Sequence, residues 1–195
     1  MRVSLILALG GWMGVLALPA SGQGVLLAQE HRIKHYSNSL SPYIVSPQEI
    51  VDRMLELADL KQNETIYDLG SGDGRILITA AQRFRAKAVG IEISDSLVNS
   101  TTERVARMGL QERIRVIHAD LMQVDLSPAD VVTMYFPTES NVIVRPNLEK
   151  YLRAGARVVS HDYQVPGWKP NHVEKAVAGS RDHNIYLYVM PAKHE

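Results

Sequence analysis

Thr65-Ile66-Tyr67-Asp68-Leu69, followed at once by Gly70-Ser71-Gly72-Asp73-Gly74-Arg75, is the stretch on which the fold turns. The first five residues are β-branched or apolar enough for a short strand. Three alternating glycines then make a tight turn, and Ile76 to Phe84 reads as a helix. A strand, a glycine turn and a helix in direct succession open a βαβ unit, whose turn lets the backbone come close to a ligand. Upstream, Ser46-Pro47-Gln48-Glu49 predicts a helix start: Ser46 as cap, Pro47 at the first helical position, Glu49 completing a capping box. That helix carries Ile50, Val51, Met54, Leu55, Leu57 and Ala58 at helical spacing. Downstream, strands are predicted over 88–93, 114–118, 131–136 and 157–161. Between them lie a helix capped by Ser94 and closed by Gly109, and a helix over 141–152. Residues 172–178 and 185–190 predict a closing hairpin. The expected architecture is α/β: a doubly wound, mostly parallel sheet with helices on both faces and a C-terminal antiparallel hairpin. Ligands of such sheets sit beyond the carboxyl ends of the strands, near the topological switch point.

The chain has 195 residues, enough for one ordinary domain, with 46% hydrophobic residues. Lys and Arg number 21 against 21 Asp and Glu, which argues against a nucleic-acid partner, because that needs clustered uncompensated cations. The absence of cysteine excludes a disulfide scaffold, a thiolate metal site and a cysteine nucleophile. Residues 1–24 hold one charge, Arg2, then an apolar run from Val3 to Leu18, then Pro19-Ala20-Ser21-Gly22. This is the order of a signal peptide, or of an N-terminal membrane anchor. The expectation is an exported or membrane-anchored protein, on either side of the membrane, with a linker over 25–42 and the folded domain over 43–195.

The glycine turn excludes two ligand classes. A dinucleotide fingerprint needs glycine where Arg75 stands, and no G-K-[ST] comes after it for a phosphate loop. Asp68 at the strand end suits a cation better than a pyrophosphate. Glu92 ends the second strand and can accept ribose hydroxyls, and Asp120 comes after the third strand. Carboxylates at three successive strand ends point to a nucleoside bearing positive charge, hence S-adenosylmethionine.

Asp68 to Arg75, Gly90 to Ser94 and His118 to Leu121 together resemble, in order and spacing, the motifs of the class I S-adenosylmethionine-dependent methyltransferases. The resemblance implies a seven-stranded sheet and a methyltransferase domain over 43–195. It implies that Asp68, Gly70, Ser71 and Gly72 meet the methionine part, Glu92 the ribose, and Asp120 with Leu121 the adenine edge.

The residues after the fourth strand narrow the acceptor. Met134-Tyr135-Phe136-Pro137 lacks the Asn/Asp-Pro-Pro-Tyr/Phe of enzymes that methylate amide or nucleobase nitrogens, and the Asp-Asn pair of metal-dependent O-methyltransferases is missing. Tyr43-Ile44-Val45-Ser46-Pro47, Arg157 to His161 and Val165-Pro166-Gly167-Trp168 resemble the lysine methyltransferases that act on the ATP-synthase c subunit, and their small prokaryotic relatives. Val45 and Tyr135-Phe136-Pro137 depart from that pattern. The resemblance implies protein-lysine N-methylation by positioning and desolvation, on a protein partner, with membrane association through residues 3–18. Tyr43 and Tyr135 are the expected catalytic pair, lining an apolar pocket that orients the amine. Two alternatives stand: a small-molecule methyltransferase on the same fold, and a non-catalytic nucleoside-binding module. A nicotinamide oxidoreductase is disfavoured by Arg75 and Asp68. Glu139 is expected to be a solvated loop carboxylate and Trp168 a packing anchor. His161-Asp162, His172 and His183 lack helical metal spacing, so no metal is expected and the histidines are read as surface or strand-end residues.

Overall fold

The computed structural model describes residues 39–194. In chain order the elements are α1 (Gln48–Leu57), β1 (Thr65–Leu69), α2 (Arg75–Arg83), β2 (Lys87–Glu92), α3 (Asp95–Arg107), β3 (Ile114–His118), β4 (Val131–Met134), α4 (Thr138–Tyr151), β5 (Arg157–His161), β6 (Trp168–Lys169), β7 (His172–Ala178), β8 (Arg181–Val189) and β9 (Lys193–His194). A 3-10 turn, Leu121–Gln123, comes after β3.

Seven strands form one sheet in the order β3-β2-β1-β4-β5-β8-β7. The first five are parallel, and β8 and β7 run antiparallel as the expected hairpin. The switch point lies between β1 and β4, where Asp68 is in register with Thr133. β6 and β9 pair in a separate two-stranded ribbon. With two residues each they are too short for alternation to betray them in the sequence.

The inner parallel strands β1, β4 and β5 are buried on both sides because both faces are covered. Ile66, Val131 and Val159 face a core shared with α1 and α2, including Met54, Leu55 and Leu77. Their neighbours Tyr67, Val132 and Val158 face a second core shared with α4 and the C-terminal segments, including Leu148 and Trp168. The period of two along each strand sets which residue joins which core. Trp168 is fully buried, its ring edge-on to Tyr188 and its indole N–H donating to Glu149 Oε1 at 2.8 Å, which makes it the expected anchor.

Several local expectations need correction. Ser46 does not cap α1. Pro47 occupies the cap position, and the buried Ser46 hydroxyl is instead 2.8 Å from His161 Nδ1. A side chain cannot serve both a helix end and a partner across the fold, and burial decides for the latter. Ser94 stands at the cap of α3, but its hydroxyl pairs with that of Ser96. β4 stops at Met134 rather than 136, because Phe136 leaves the sheet to cover Gly70, and α4 begins at Thr138 rather than 141. Glu139 accordingly lies exposed in the first turn of a helix, not in a loop. His161 and His183 are buried rather than at the surface, whereas His172 is exposed.

The expectation of an exported or membrane-anchored protein is also corrected. Among the described residues no helix is long and apolar enough to cross a membrane. Residues 1–24, including the apolar run 3–18, and the linker up to residue 38 lie outside the described residues.

Candidate active site

The turn after β1 is held from three sides. Gly70 and Ser71 donate their N–H groups to the Ile91 carbonyl of β2 at 2.9 and 3.0 Å. The Thr101 hydroxyl of α3 donates to the Gly72 carbonyl at 2.9 Å. Glu92, buried at the end of β2, accepts from Gly72 N–H through Oε2 and from Ile93 and Ser94 N–H through Oε1, each at 2.9 Å. Three of roughly four acceptor sites on that carboxylate are thus committed to backbone, leaving one on Oε2. Gly90, mid-strand beneath the turn, is glycine for space. A Cβ there would lie 2.5 Å from Ser71 Oγ and 2.6 Å from Leu77 Cδ1. The Ser71 hydroxyl is turned toward the strand and finds no hydrogen-bond partner among the described residues.

The turn opens on a cleft enclosing about 370 Å³ of empty space, the open solvent at its mouth included. Its lining brings together Tyr43, Asp68, Gly70, Ser71, Gly72 and Tyr135 of the residues singled out in the sequence. Glu92 sits behind the turn. Asp120 and Leu121 come after β3, one strand further along the same edge, where the Asp120 side chain accepts from Met122 N–H at 2.9 Å. Among the residues lining that cleft, Asp120 and Leu121 are absent.

Asp68 is buried, and among the described residues its side chain has one hydrogen-bond partner, the Thr133 hydroxyl, which donates to Oδ1 at 2.8 Å. Burial, with smaller contributions from the Glu92 and Asp73 charges, pushes its pKa up to about 7, against the pull of the Thr133 hydrogen bond. A carboxylate so poorly solvated favours a cationic ligand, which fits the sulfonium and ammonium of S-adenosylmethionine. Asp73 behaves oppositely. Burial works to raise it, but hydrogen bonds from the Arg75 guanidinium at 2.8–3.3 Å more than offset this and hold its pKa below the usual range. Arg75 also donates to the Ser46 carbonyl at 2.8 Å, tying the glycine turn to the segment that carries Tyr43. The residue that disqualified the dinucleotide fingerprint is therefore a clamp.

Gly72 has φ +52°, and a Cβ on it would lie 2.6 Å from Tyr43 Cε2. The ring packs on the turn at van der Waals distance only because no side chain intervenes. Gly72→Ala is expected to cost roughly 1–2 kcal/mol of backbone strain, seen as a fall of roughly 2–8 °C in unfolding midpoint. By displacing Tyr43 it should also lower turnover by about tenfold, one hydrogen bond's worth of positioning. Turnover unchanged alongside the lower midpoint would remove Tyr43 from the chemistry.

Thr133, Thr101, Gly90 and Asp162 were not singled out for the site from sequence. Thr133 lies on β4, a strand the sequence does show, but its register with Asp68 is visible only in the folded sheet. The trio of His161, Asp162 and His183 offers atoms all within 4.8 Å of one another. Within the trio, His161 Nε2 and His183 Nδ1 share a hydrogen bond at 2.9 Å.

Residues 68–172 match the family model described as the ANTKMT methyltransferase domain. A protein-lysine N-methyltransferase of Saccharolobus islandicus is 43% identical over 150 residues, which are 76% of this chain and 93% of that protein. The adenine nucleotide translocase lysine N-methyltransferase of Mus musculus is 29% identical over 147 residues, 75% of this chain but 62% of the mouse protein, so the chain spans less than two thirds of that relative. Among solved structures, an RNA methyltransferase from Salinibacter ruber in complex with S-adenosyl-L-homocysteine superposes with a TM-score of 0.72 at 38% identity, over 78% of this chain and 97% of that one.

Proposed function

This chain belongs to the ANTKMT methyltransferase domain family, and from that premise we propose that it is a protein-lysine N-methyltransferase. It is an S-adenosylmethionine-dependent enzyme, and its acceptor is the side-chain amine of a lysine on a protein partner. The observation that carries the reading is the cleft where Asp68 and the glycine turn meet Tyr43 and Tyr135. The 43% identity to a protein-lysine N-methyltransferase over nearly its whole length supports the acceptor.

Bound in the cleft, S-adenosylmethionine supplies a methyl group activated by its sulfonium. The buried Asp68 attracts the positive charge of the methionine part, and Gly70, Ser71 and Gly72 offer it close backbone. Glu92 has one acceptor site left that would take a ribose hydroxyl, and Asp120 with Leu121 would flank the adenine edge. Transfer is an in-line displacement, so the protein's part is to align a neutral amine with the methyl group and exclude water. Tyr43 and Tyr135 form the wall against which a desolvated lysine loses its proton more readily than in water. The methyltransferase domain is assigned to 43–195, with Leu40 just ahead of it packed against the second core.

The test is to incubate the protein with methyl-labelled S-adenosylmethionine and separate pools of protein, RNA and small molecules, then locate the label by mass spectrometry. Label on lysine side chains is expected. Label confined to the RNA pool, the acceptor class in the name of the Salinibacter protein, or to small molecules would overturn the reading.

A further inference from the structure

Asp162 comes directly after β5 with φ +60°, a left-handed conformation that aspartate adopts more readily than most residues. The surroundings are specific. Its N–H donates to the Asn184 carbonyl at 2.7 Å, and Asn184 N–H returns a bond to Oδ1 at 3.1 Å. Oδ2 receives the Tyr135 hydroxyl at 3.1 Å and a nitrogen of Arg181 at 3.2 Å. His183 Nδ1 stands 3.2 Å from both oxygens and 2.9 Å from His161 Nε2, while His161 Nδ1 is 2.8 Å from Ser46 Oγ.

An ionised carboxylate only accepts, so the nitrogen facing it, His183 Nδ1, is the donor, sharing its proton between Asp162 and His161 Nε2. That assignment leaves the second proton of the pair on His161 Nδ1, pointed at Ser46. Burial lowers the His161 pKa to about 4, which agrees with a neutral ring. The Tyr135 ring packs on His161, with centroids 3.9 Å apart. One chain of hydrogen bonds thus runs from Tyr135 through Asp162, His183 and His161 to Ser46, on the segment that carries Tyr43.

The phenolic proton of Tyr135 is committed to Asp162, so the oxygen keeps acceptor capacity alone. Resting on the lysine reading above, we propose that Asp162 is a positioning residue: it holds the Tyr135 proton away from the cleft, so that the Tyr135 oxygen accepts an N–H of the incoming amine and turns the nitrogen lone pair toward the methyl group. Burial and the Asp162 charge also push the Tyr135 pKa up to about 12, so the hydroxyl keeps its proton throughout the working range.

Asp162→Asn is the informative change, because asparagine tolerates the left-handed backbone. With Oδ1 still receiving Asn184 N–H, the new amide NH₂ faces Tyr135 and donates to its oxygen. The phenolic proton then swings toward the amine, reversing the sense of the contact. We expect single-turnover methyl transfer to fall about tenfold, one hydrogen bond's worth, with S-adenosylmethionine affinity by calorimetry within about twofold. Tyr135→Phe should lose the same amount, and the double variant no more than Tyr135→Phe alone. Losses that multiply to about a hundredfold, or a D162N enzyme that turns over normally, would overturn the proposal.

A second readout needs no turnover. In protein labelled with ¹³C-tyrosine, the Tyr135 phenol should ionise at lower pH in D162N than in wild type, and an unchanged titration would also overturn the link. If wild type methylates no lysine while this titration shifts as expected, the lysine reading fails and the Asp162–Tyr135 pairing stands. Turnover lost on dialysis against a chelator and restored by zinc would make the trio a set of metal ligands and overturn the proposal equally.

Discussion

Asp68→Asn is expected to make the free protein more stable and its hold on S-adenosylmethionine weaker, in one variant at one pH. The wild-type carboxyl is buried, and burial first, with nearby carboxylates second, raises its pKa to about 7. A folded-state value above the unfolded one contributes stability that is fully present below about pH 4 and lost as pH rises through 7. At pH 8 the ligand-free protein therefore carries the whole cost of a desolvated charge, roughly 4 kcal/mol. Asparagine keeps an acceptor oxygen for the Thr133 hydroxyl and carries no charge. We expect the unfolding midpoint at pH 8 to rise by several degrees, a gain of roughly 2–4 kcal/mol once relaxation is allowed for.

Affinity should move the other way. A hydrogen bond to a charged group is worth roughly 1.5–3 kcal/mol, so S-adenosylmethionine binding should weaken by roughly 10- to 100-fold. The wild type should also bind less tightly as pH falls through 7, releasing protons on binding at pH 6, and the variant should show neither effect. Calorimetry in two buffers of different ionisation enthalpy reads both. Unchanged affinity would remove Asp68 from the cofactor site, and a lowered midpoint would show that its burial is not a cost.

Glu92→Gln is the same chemical change with the opposite outcome for stability. The Glu92 carboxylate is buried among three backbone donors, Gly72, Ile93 and Ser94. An amide has one oxygen, so its NH₂ must face a backbone N–H wherever it is placed. An orphaned buried donor costs roughly 1–3 kcal/mol, and the remaining bonds lose their charge assistance. We expect the unfolding midpoint to fall by roughly 5–10 °C. The glycine turn loses its tie at Gly72, and cofactor affinity should fall by about 100-fold, roughly 3 kcal/mol. Thermal unfolding and calorimetry on the same sample test this. A stable variant with weakened binding would assign Glu92 to the ligand alone, and a destabilised one with intact binding would assign it to the turn alone.

The two substitutions separate what a buried acid at a strand end is for. Asp68 is left short of partners and Glu92 has three of them, yet both read alike in the sequence as acidic residues at a strand end. Periodicity found β1, β3 and β5 at their full lengths, because alternation and glycine punctuation are local signals. It missed the ribbon of β6 and β9, whose pairing depends on two segments brought together by the β7–β8 hairpin between them. It also assigned Ser46 to a helix cap, the best local use for a serine before Pro47, when His161 was the stronger claim. The histidines read as surface or strand-end residues; His161 does end β5, but nothing in the spacing reveals that β5 and β8 are neighbours and bury it against His183.

By itself the sequence determined the order of the helices and of the seven strands of the main sheet, the glycine turn after β1, and the acidic residues at or just past three strand ends, since each is a local pattern. Only the tertiary structure decided what each polar group touches. Gly72 meets Glu92 20 residues away, Asp68 meets Thr133 65 away, and Ser46 meets His161 115 away. Those pairings depend on strand order and on the requirement that a buried polar group find a partner, and neither is carried by any local stretch of chain.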